Sequence, residues 1–406
     1  MGKKYEIIDR IIEVGIYLYI IFMFMSKGES IRNILIFGNF GLWLFTLKYR
    51  KNLYLLKDPV SISCWIFLGV SIFSVIFSID PSYSFPALRK EALKIALLFP
   101  VITTVMADEM KLKRAAYVSF FTSLLIVFIG YYSYLTHDIQ VLRHDIPLMD
   151  SGVTGHNKFA RYLNTLLPSA FILFFLWKKR GLKALLTVSL IISVFALILS
   201  TSREGYLAFF GIVFTWTIYL ARAKGYNLIK VISCITAIFL ILGIASWFSS
   251  SGVRERISLT TEQLSTLNER TEIWVPAIYA FKQKPFFGWG YGKRIFYQDE
   301  PYKETPFKKA PTKGPHNTFL RILFLQGIVG FIPYAFLLLF AIKRFWYEAF
   351  KTTGIRSYIL VACVSVLIGN YIINSMFADL ERLSLYFAVV LGLGIAAKGI
   401  NENSHN

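Results

Sequence analysis

The chain contains 406 residues, of which 55% are hydrophobic and only 17% are charged, whereas an ordinary soluble domain has about 25% charged residues. This composition excludes an ordinary soluble globular protein. Lys and Arg outnumber Asp and Glu by 44 to 24. The apolar remainder nevertheless favours a polytopic membrane protein and no nucleic-acid partner, because each helical span needs about 20 apolar residues.

Apolar runs bounded by charged or turn residues predict an all-α polytopic membrane protein with about twelve transmembrane helices. Two of the runs, 31–47 and 92–107, are short enough to be tilted or partly interfacial. In chain order, the predicted spans are residues 8–26, 31–47, 60–79, 92–107, 115–135, 160–177, 183–200, 205–221, 229–248, 317–342, 357–376 and 380–397.

Lys and Arg residues concentrate in alternate loops between these spans. Because the cytoplasmic side of a membrane protein carries the excess of such residues, the alternation places both the N- and the C-terminus in the cytoplasm. Half of the cations, 22 of 44, then mark the inner surface, from Lys3 to Lys398. No small-residue cleavage site follows the basic N-terminus, so the first apolar run is predicted to be a retained span.

The longest polar stretch, residues 249–315, is predicted to be a structured loop on the outer face. It separates nine predicted spans in residues 1–248 from three in residues 316–398, and residues 399–406 form a predicted cytoplasmic tail. Residues 268–283 have an apolar stripe at helical spacing, which predicts an amphipathic helix lying on or over the membrane domain. The stripe comprises Ile273, Trp274, Ala277, Ile278 and Phe281.

Three ionisable residues lie near span ends on the predicted outer face. Arg203 follows Ser202 in a short turn between two spans, Arg270 opens the amphipathic helix, and His316 starts the tenth span. Taken singly, they have other interpretations: an interfacial anchor, a local ion pair and a helix cap. Together they suit an anionic diphosphate at the membrane surface, because guanidinium groups give bidentate contacts to phosphate and a neighbouring imidazole can accept a proton.

The sequence around these residues resembles the O-antigen ligase family. His316 and Asn317, followed after nine residues by Gly327 and after two more by Gly330, resemble the His-Asn/Ser-x9-Gly-x2-Gly motif of the family. The turn at Arg203 is similar to a family arginine between two spans. Two further stretches also resemble family segments: Arg270-x3-Trp274 followed by residues 284–290, and residues 155–163 around Asn157.

The resemblance implies a glycosyltransferase of the bacterial inner membrane whose active site faces the periplasm. It implies that His316 is the catalytic base and that Arg203 and Arg270 bind the diphosphate of an undecaprenyl-diphosphate-linked glycan donor. The acceptor would be lipid A-core or another glycan, and membrane lipids would surround the protein. The reaction would need neither a metal nor another cofactor. Substrate-binding candidates are Asn317, Asn157, Arg161 and Trp274.

Some alternatives stay open. Many ligases have Thr after the final glycine of the motif, where this chain has Phe331, so an O-antigen polymerase or a protein O-oligosaccharyltransferase with the same donor is compatible with the motifs. A transporter or flippase is a rival of another class. The end of the long loop is also basic, and this run is compatible either with recruitment of phosphorylated sugars and lipid head groups or with a solvated surface. It comprises Lys293, Arg294, Lys303, Lys308, Lys309 and Lys313.

Overall fold

A computed structural model describes residues 3–25, 28–136, 156–249, 265–378 and 383–400. Within these residues the chain is helical and has no strands. Most of the predicted outer loop 136–159, the first part of the long loop and residues 401–406 of the predicted tail lie outside the described residues.

The consecutive main helices are joined in most, but not all, cases by short connections. They are α1 (Lys3–Phe22), α2 (Glu29–Thr46), α3 (Pro59–Ile76), α4 (Pro81–Val105), α5 (Glu109–Thr136), α6 (His156–Leu166), α7 (Pro168–Leu176), α8 (Arg180–Leu199), α9 (Arg203–Lys224), α10 (Leu228–Ser249), α11 (Ser265–Gln283), α12 (Thr318–Lys351), α13 (Gly354–Val366) and α14 (Leu383–Gly399). A π-helix, Leu367–Ile373, and a 3₁₀ turn, Asn374–Met376, continue α13.

The helices have the length and apolar surface of a polytopic membrane protein. In the described ranges, eight helical segments are long and apolar enough to cross a membrane. Large apolar side chains such as Leu135 (78% exposed) and Phe128 (68% exposed) point away from the protein, which a bilayer accommodates and water does not. The predicted all-α membrane architecture is confirmed, whereas the exact number of spans stays a prediction.

Polar side chains start several of these helices. Asp58 and Asp80 cap α3 and α4 by accepting hydrogen bonds from the backbone NH groups of Val60 and Tyr83, and each is followed by a proline that begins the helix. Such caps satisfy NH groups that have no partner within the helix. The short charged connections of the sequence therefore end one helix and start the next.

Ion pairs join three segments that the charge pattern assigns to the cytoplasm. Asp9 of α1 pairs with Arg50, with 2.9 Å between Oδ1 and Nη2, and also with Lys111. Glu13 pairs with Arg114, with 2.9 Å between Oε1 and Nη1. The N-terminus, the connection before α3 and the start of α5 thus meet at one end of the bundle, as the predicted alternation requires. The side of the membrane that this end faces stays a prediction.

The second half of the long loop forms a structured cap, which we define as residues 265–315. Its helix α11 covers the predicted amphipathic segment and packs on α12. Ile273 and Ala277 are buried as the stripe predicts, but Ile278 is 40% exposed. The cap shares a small core with the first turns of α12, which comprises Ile273, Ala277, Ala280, Trp289, Ile295, Phe296, Tyr302, Leu320, Phe324 and Leu325.

Candidate active site

His316 lies at the junction between the cap and α12. Asn317 caps the helix, because its side chain accepts a hydrogen bond from the NH of Leu320 at 3.0 Å. The hydroxyl of Thr318 donates to the carbonyl of Ala378 at 2.8 Å. His316 itself is exposed and has a left-handed backbone, with φ of 44°. This conformation is uncommon for a residue with a side chain and persists where the surrounding structure imposes it.

Helix α11 brings two predicted residues to the same junction. Arg270 and Trp274 are one helical turn apart, so their side chains share a face. The indole Nε1 of Trp274 donates to the carbonyl oxygen of Pro315 at 2.6 Å, directly before His316. The guanidinium of Arg270 lies over the ring of Phe377, with its Cζ 5.2 Å from the ring centre, in a cation–π arrangement. Trp274 thus contacts the residue before His316, and Arg270 contacts Phe377, which precedes the Ala378 that Thr318 binds. Arg270, Trp274, His316 and Asn317 therefore lie at one junction, which we call the His316 cluster.

Gly327, the first glycine of the His-Asn-x9-Gly-x2-Gly pattern, lies where the cap is held on α12. At Gly327 the backbone leaves helical geometry, with φ of 64° and ψ of −165°. Around this break the residues of α12 exchange backbone hydrogen bonds with the cap residues 285–290. The four bonds run from Trp289 N to Phe324 O (3.0 Å), Gly290 N to Leu325 O (2.9 Å), Ile328 N to Pro285 O (2.8 Å) and Val329 N to Phe286 O (3.0 Å).

Arg203 occupies a comparable turn at the start of α9. Ser202 caps this helix by accepting from the NH of Gly205 at 3.1 Å. Thr201 has a left-handed backbone, with φ of 53°, and Arg203 is exposed. Arg203 thus lies two residues after Thr201, and His316 itself has the same left-handed conformation. Helix α9 also contacts the π-helix and the 3₁₀ turn that precede Phe377. These two elements therefore link helix α9 to Phe377, the residue that Arg270 contacts.

Arg161 is mostly buried and contacts the residue that follows Arg203. Its side chain is 11% exposed, and its Nη2 is 3.6 Å from Oε1 of the buried Glu204, the residue after Arg203. Thr165, which lies on α6 with Arg161, accepts a hydrogen bond of 2.8 Å from Asn370 of the π-helix. Asn157 is half-buried one turn before Arg161. Arg161 therefore lies beside the Arg203 turn and not in the His316 cluster.

Sequence reasoning missed three residues of this region. Glu204 is visible as an acidic residue that follows Arg203, but its burial against Arg161 has no sequence signal. Asn370 lies inside a predicted span, where a polar residue is a usable sign of function or of packing between helices. It belongs to the π-helix, a feature that frequently occurs at functional sites. Phe377, under the guanidinium of Arg270, has no sequence signal at all.

The cap also contacts α4 through the hydroxyl of Tyr291. Tyr291 donates to Oε2 of Glu91 at 2.8 Å. Burial, and then the charge of Glu91, raise the pKa of Tyr291 well above its ordinary value. The tyrosine therefore stays a neutral donor to this carboxylate at neutral pH. In the part of the chain that the structure describes, no group of three or more His, Cys, Asp or Glu side chains is arranged to hold a metal ion.

Long apolar helices under a structured cap, with arginine and histidine side chains at the junction, define a multi-pass membrane protein with a polar site at one end of the bundle. A family model described as O-antigen ligase matches residues 188–335, which include Arg203, Arg270 and the His316 motif. A curated O-antigen ligase of Salmonella typhimurium strain LT2 is 24% identical over 358 residues, with 84% of each chain covered. The chain is therefore similar to O-antigen ligases, and this similarity together with the apolar helices supports a multi-pass bacterial membrane protein of the O-antigen ligase/polymerase type.

Proposed function

We propose that the protein transfers a glycan from undecaprenyl diphosphate to a hydroxyl of lipid A-core on the periplasmic face of the inner membrane. One observation carries the proposal: Trp274 of the cap binds the carbonyl directly before the exposed His316, and Arg270 lies one helical turn from Trp274. A proton acceptor and an anion-binding group thus meet at one end of a membrane bundle, which is where a lipid-linked diphosphate is accessible.

The reaction is a direct displacement at the anomeric carbon of the donor sugar. The imidazole of His316 takes the proton of the acceptor hydroxyl as its oxygen bonds to that carbon. The bond between the anomeric carbon and the diphosphate oxygen breaks, and undecaprenyl diphosphate leaves with the electron pair. Attack from the face opposite the leaving group inverts the anomeric configuration. Arg203 and Arg270 hold the diphosphate and offset the charge that develops on it, without a metal ion.

The remaining candidate residues have supporting roles in this proposal. Trp274 fixes the backbone before His316 through its hydrogen bond to Pro315 and presents a ring face near the donor sugar. Asn317 fixes the residue that follows the base by capping α12. Arg161 orients the Arg203 turn through Glu204, and Asn157 contacts the donor from the first turn of α6.

Glycan transfer by the purified protein in nanodiscs tests the two main roles. The reaction contains an undecaprenyl-diphosphate glycan and lipid A-core, and the product is separated by gel electrophoresis. His316→Ala should lower the rate by about 10²–10⁴-fold, the typical contribution of a positioned proton acceptor. Undiminished transfer by this variant would remove His316 as the base.

The arginine role has a matched control. Arg270→Lys should lose nearly as much activity as Arg270→Ala, because an ammonium group cannot form the planar bidentate contact. Arg344 lies near the other end of α12, where it pairs with Glu348 at 3.7 Å, and Arg344→Lys should retain wild-type activity. Wild-type transfer by Arg270→Lys would contradict the diphosphate contact.

The same reaction identifies the acceptor. Parallel assays contain lipid A-core, a second undecaprenyl-diphosphate glycan, or a peptide rich in Ser and Thr. Transfer to lipid A-core supports the proposal. Exclusive extension of the second lipid-linked glycan would instead define a polymerase, and exclusive glycosylation of the peptide would define a protein oligosaccharyltransferase.

A further inference from the structure

An apolar cavity lies beside the start of α12, between α3, α4, α12 and α14. Thr318, two residues after His316, is part of its wall. The apolar side chains that line it include Phe67, Leu68, Leu88, Ile95, Ile322 and Phe387. Its polar lining residues include Ser71 and Gln326, which are hydrogen-bonded to each other at 3.2 Å. A space lined mostly by branched and aromatic side chains suits a hydrocarbon chain and not a sugar.

A basic cleft adjoins this cavity. We define the basic cleft by its charged residues, which are Lys90, Lys293, Arg294 and Arg321 together with Asp80 and Glu91. Glu91, Gly292 and Arg321 line both spaces, so the apolar cavity and the basic cleft share a rim. Cations in the cleft therefore lie directly beside the opening of an apolar space.

The two carboxylates of the basic cleft already have partners within the protein. Asp80 accepts hydrogen bonds from the NH of Tyr83 at 3.1 Å and from Nε2 of Gln298 at 3.4 Å. Glu91 accepts the hydroxyl of Tyr291. The guanidinium of Arg294 lies over the Tyr83 ring, 5.7 Å from its centre. Of the four cations in the cleft, Lys90 pairs with Glu29, with 3.2 Å between Nζ and Oε1. The lining still carries four cations against two engaged carboxylates, which favours an anionic ligand.

We propose that the apolar cavity and the basic cleft together bind the acceptor, a phosphorylated lipid with an acyl chain in the cavity and phosphate groups in the cleft. This inference rests on the proposed function, because that function requires two lipid substrates to meet at His316. The donor diphosphate is assigned to Arg203 and Arg270, which lie on α9 and α11. The cavity and cleft are formed by other elements, and the start of α12 is the element that the cavity shares with the His316 cluster.

A pair of charge-removing variants tests the basic cleft. Lys293 and Arg294 are both exposed, so Lys293→Gln/Arg294→Gln should fold normally. The double variant should raise the acceptor KM about tenfold, because phosphate contacts made by charged groups are lost, while the donor KM stays unchanged. Lys308 and Lys309 are exposed residues of the same basic run that do not line the basic cleft. Lys308→Gln/Lys309→Gln therefore controls for the loss of two positive charges.

A dephosphorylated acceptor makes this test specific for phosphate. Lipid A-core treated with phosphatase should give the same KM with the wild type and with Lys293→Gln/Arg294→Gln. A rise in the donor KM, or an equal loss with the phosphorylated and the dephosphorylated acceptor, would overturn the inference. An equal effect of the Lys308/Lys309 control would also overturn it, because the effect would then come from overall charge.

A second variant tests the cavity. Leu88 is 6% exposed and lines the cavity, so Leu88→Trp should fill it and raise the acceptor KM by about tenfold. Ile66 on α3 is 52% exposed, and Ile66→Trp controls for an added indole on the helix surface. An unchanged acceptor KM in a folded Leu88→Trp protein would refute the acyl-chain site.

Direct binding separates this inference from the proposed function. Diphosphorylated lipid A, without donor, is titrated into protein in detergent and followed by native mass spectrometry. Binding by the wild type that weakens about tenfold in Lys293→Gln/Arg294→Gln supports the site even if transfer to lipid A-core fails. Equal binding by the two proteins overturns it even if transfer succeeds.

Discussion

Replacing Gly327 by Ala should detach the cap from α12. The backbone of Gly327, with φ of 64° and ψ of −165°, lies in a region that is essentially restricted to glycine, and an alanine held there costs about 1–3 kcal/mol. An added Cβ would also lie 2.2 Å from the carbonyl oxygen of Phe286 and 2.7 Å from that of Pro285. Both oxygens accept the hydrogen bonds that join the cap to Ile328 and Val329.

The size of the effect follows from these distances. An ordinary contact begins near 3.4 Å, so the Phe286 oxygen must move by roughly 1.2 Å. A displacement of this size breaks the 3.0 Å bond from Val329 and weakens the 2.8 Å bond from Ile328, each of which contributes about 1 kcal/mol. With the cost of the backbone conformation, the closed cap should lose about 2–5 kcal/mol. Because about 1.4 kcal/mol is a factor of ten, the open cap should become on the order of a hundredfold more populated, with about 30-fold as the lower bound.

Limited trypsin digestion of the protein in nanodiscs measures cap opening. In Gly327→Ala, cleavage after Lys282 and Lys293 should accelerate by a factor of about one hundred, and transfer activity should fall in parallel because the His316 cluster depends on the cap. Gly69→Ala is the matched control, because a Cβ at this helical position of α3 meets no atom within 4 Å. Wild-type cleavage rates and activity in Gly327→Ala would refute the reasoning.

Three further outcomes are expected. Trp274→Phe loses the 2.6 Å hydrogen bond to Pro315, worth about 1–2 kcal/mol, so kcat should fall about 5- to 30-fold in steady-state assays, and an unchanged kcat would contradict this positioning role. Tyr291 has a pKa raised by burial and by Glu91, so the wild type should lose thermal stability as the pH rises above about 10, the pKa of an unfolded tyrosine. Tyr291→Phe should lack this part of the dependence, and equal slopes of unfolding temperature against pH for the two proteins would refute it. Washing with EDTA should leave transfer unchanged if arginines hold the diphosphate, and a loss restored by added divalent metal would contradict the scheme.

The features that depend on local pattern were predictable from the sequence. The amphipathic stripe predicts a helix over residues 268–283, and the structure has one over Ser265–Gln283, because apolar spacing reports which face of a helix is buried. Arg270 and Trp274 fall on this helix, and Asn317 begins the next one. The predicted proximity of the cap helix to His316 is realised through the hydrogen bond from Trp274 to Pro315.

The features that depend on distant segments were not predictable. The sequence predicts one continuous span over residues 317–342, although the structure has a break at Gly327. Nothing in this run indicates that residues 285–290 supply the backbone hydrogen-bond partners around the break. Arg161 resembles a residue beside an outer loop, but it lies buried against Glu204. Single-sequence periodicity contains no information about such pairings, because each joins residues about 40 positions apart along the chain.

The backbone hydrogen bonds that join the cap to α12 around Gly327 have a consequence for biogenesis. Residues 285–290 leave the ribosome before residues 324–329. The NH groups of Trp289 and Gly290 and the carbonyls of Pro285 and Phe286 therefore lack these backbone partners until the later segment has been made. The cap therefore cannot take up its closed form before residues 324–329 have been made. A nascent chain that stops before residue 324 lacks the backbone partners that hold the cap, so the His316 cluster assembles only after the first turns of α12 are in place.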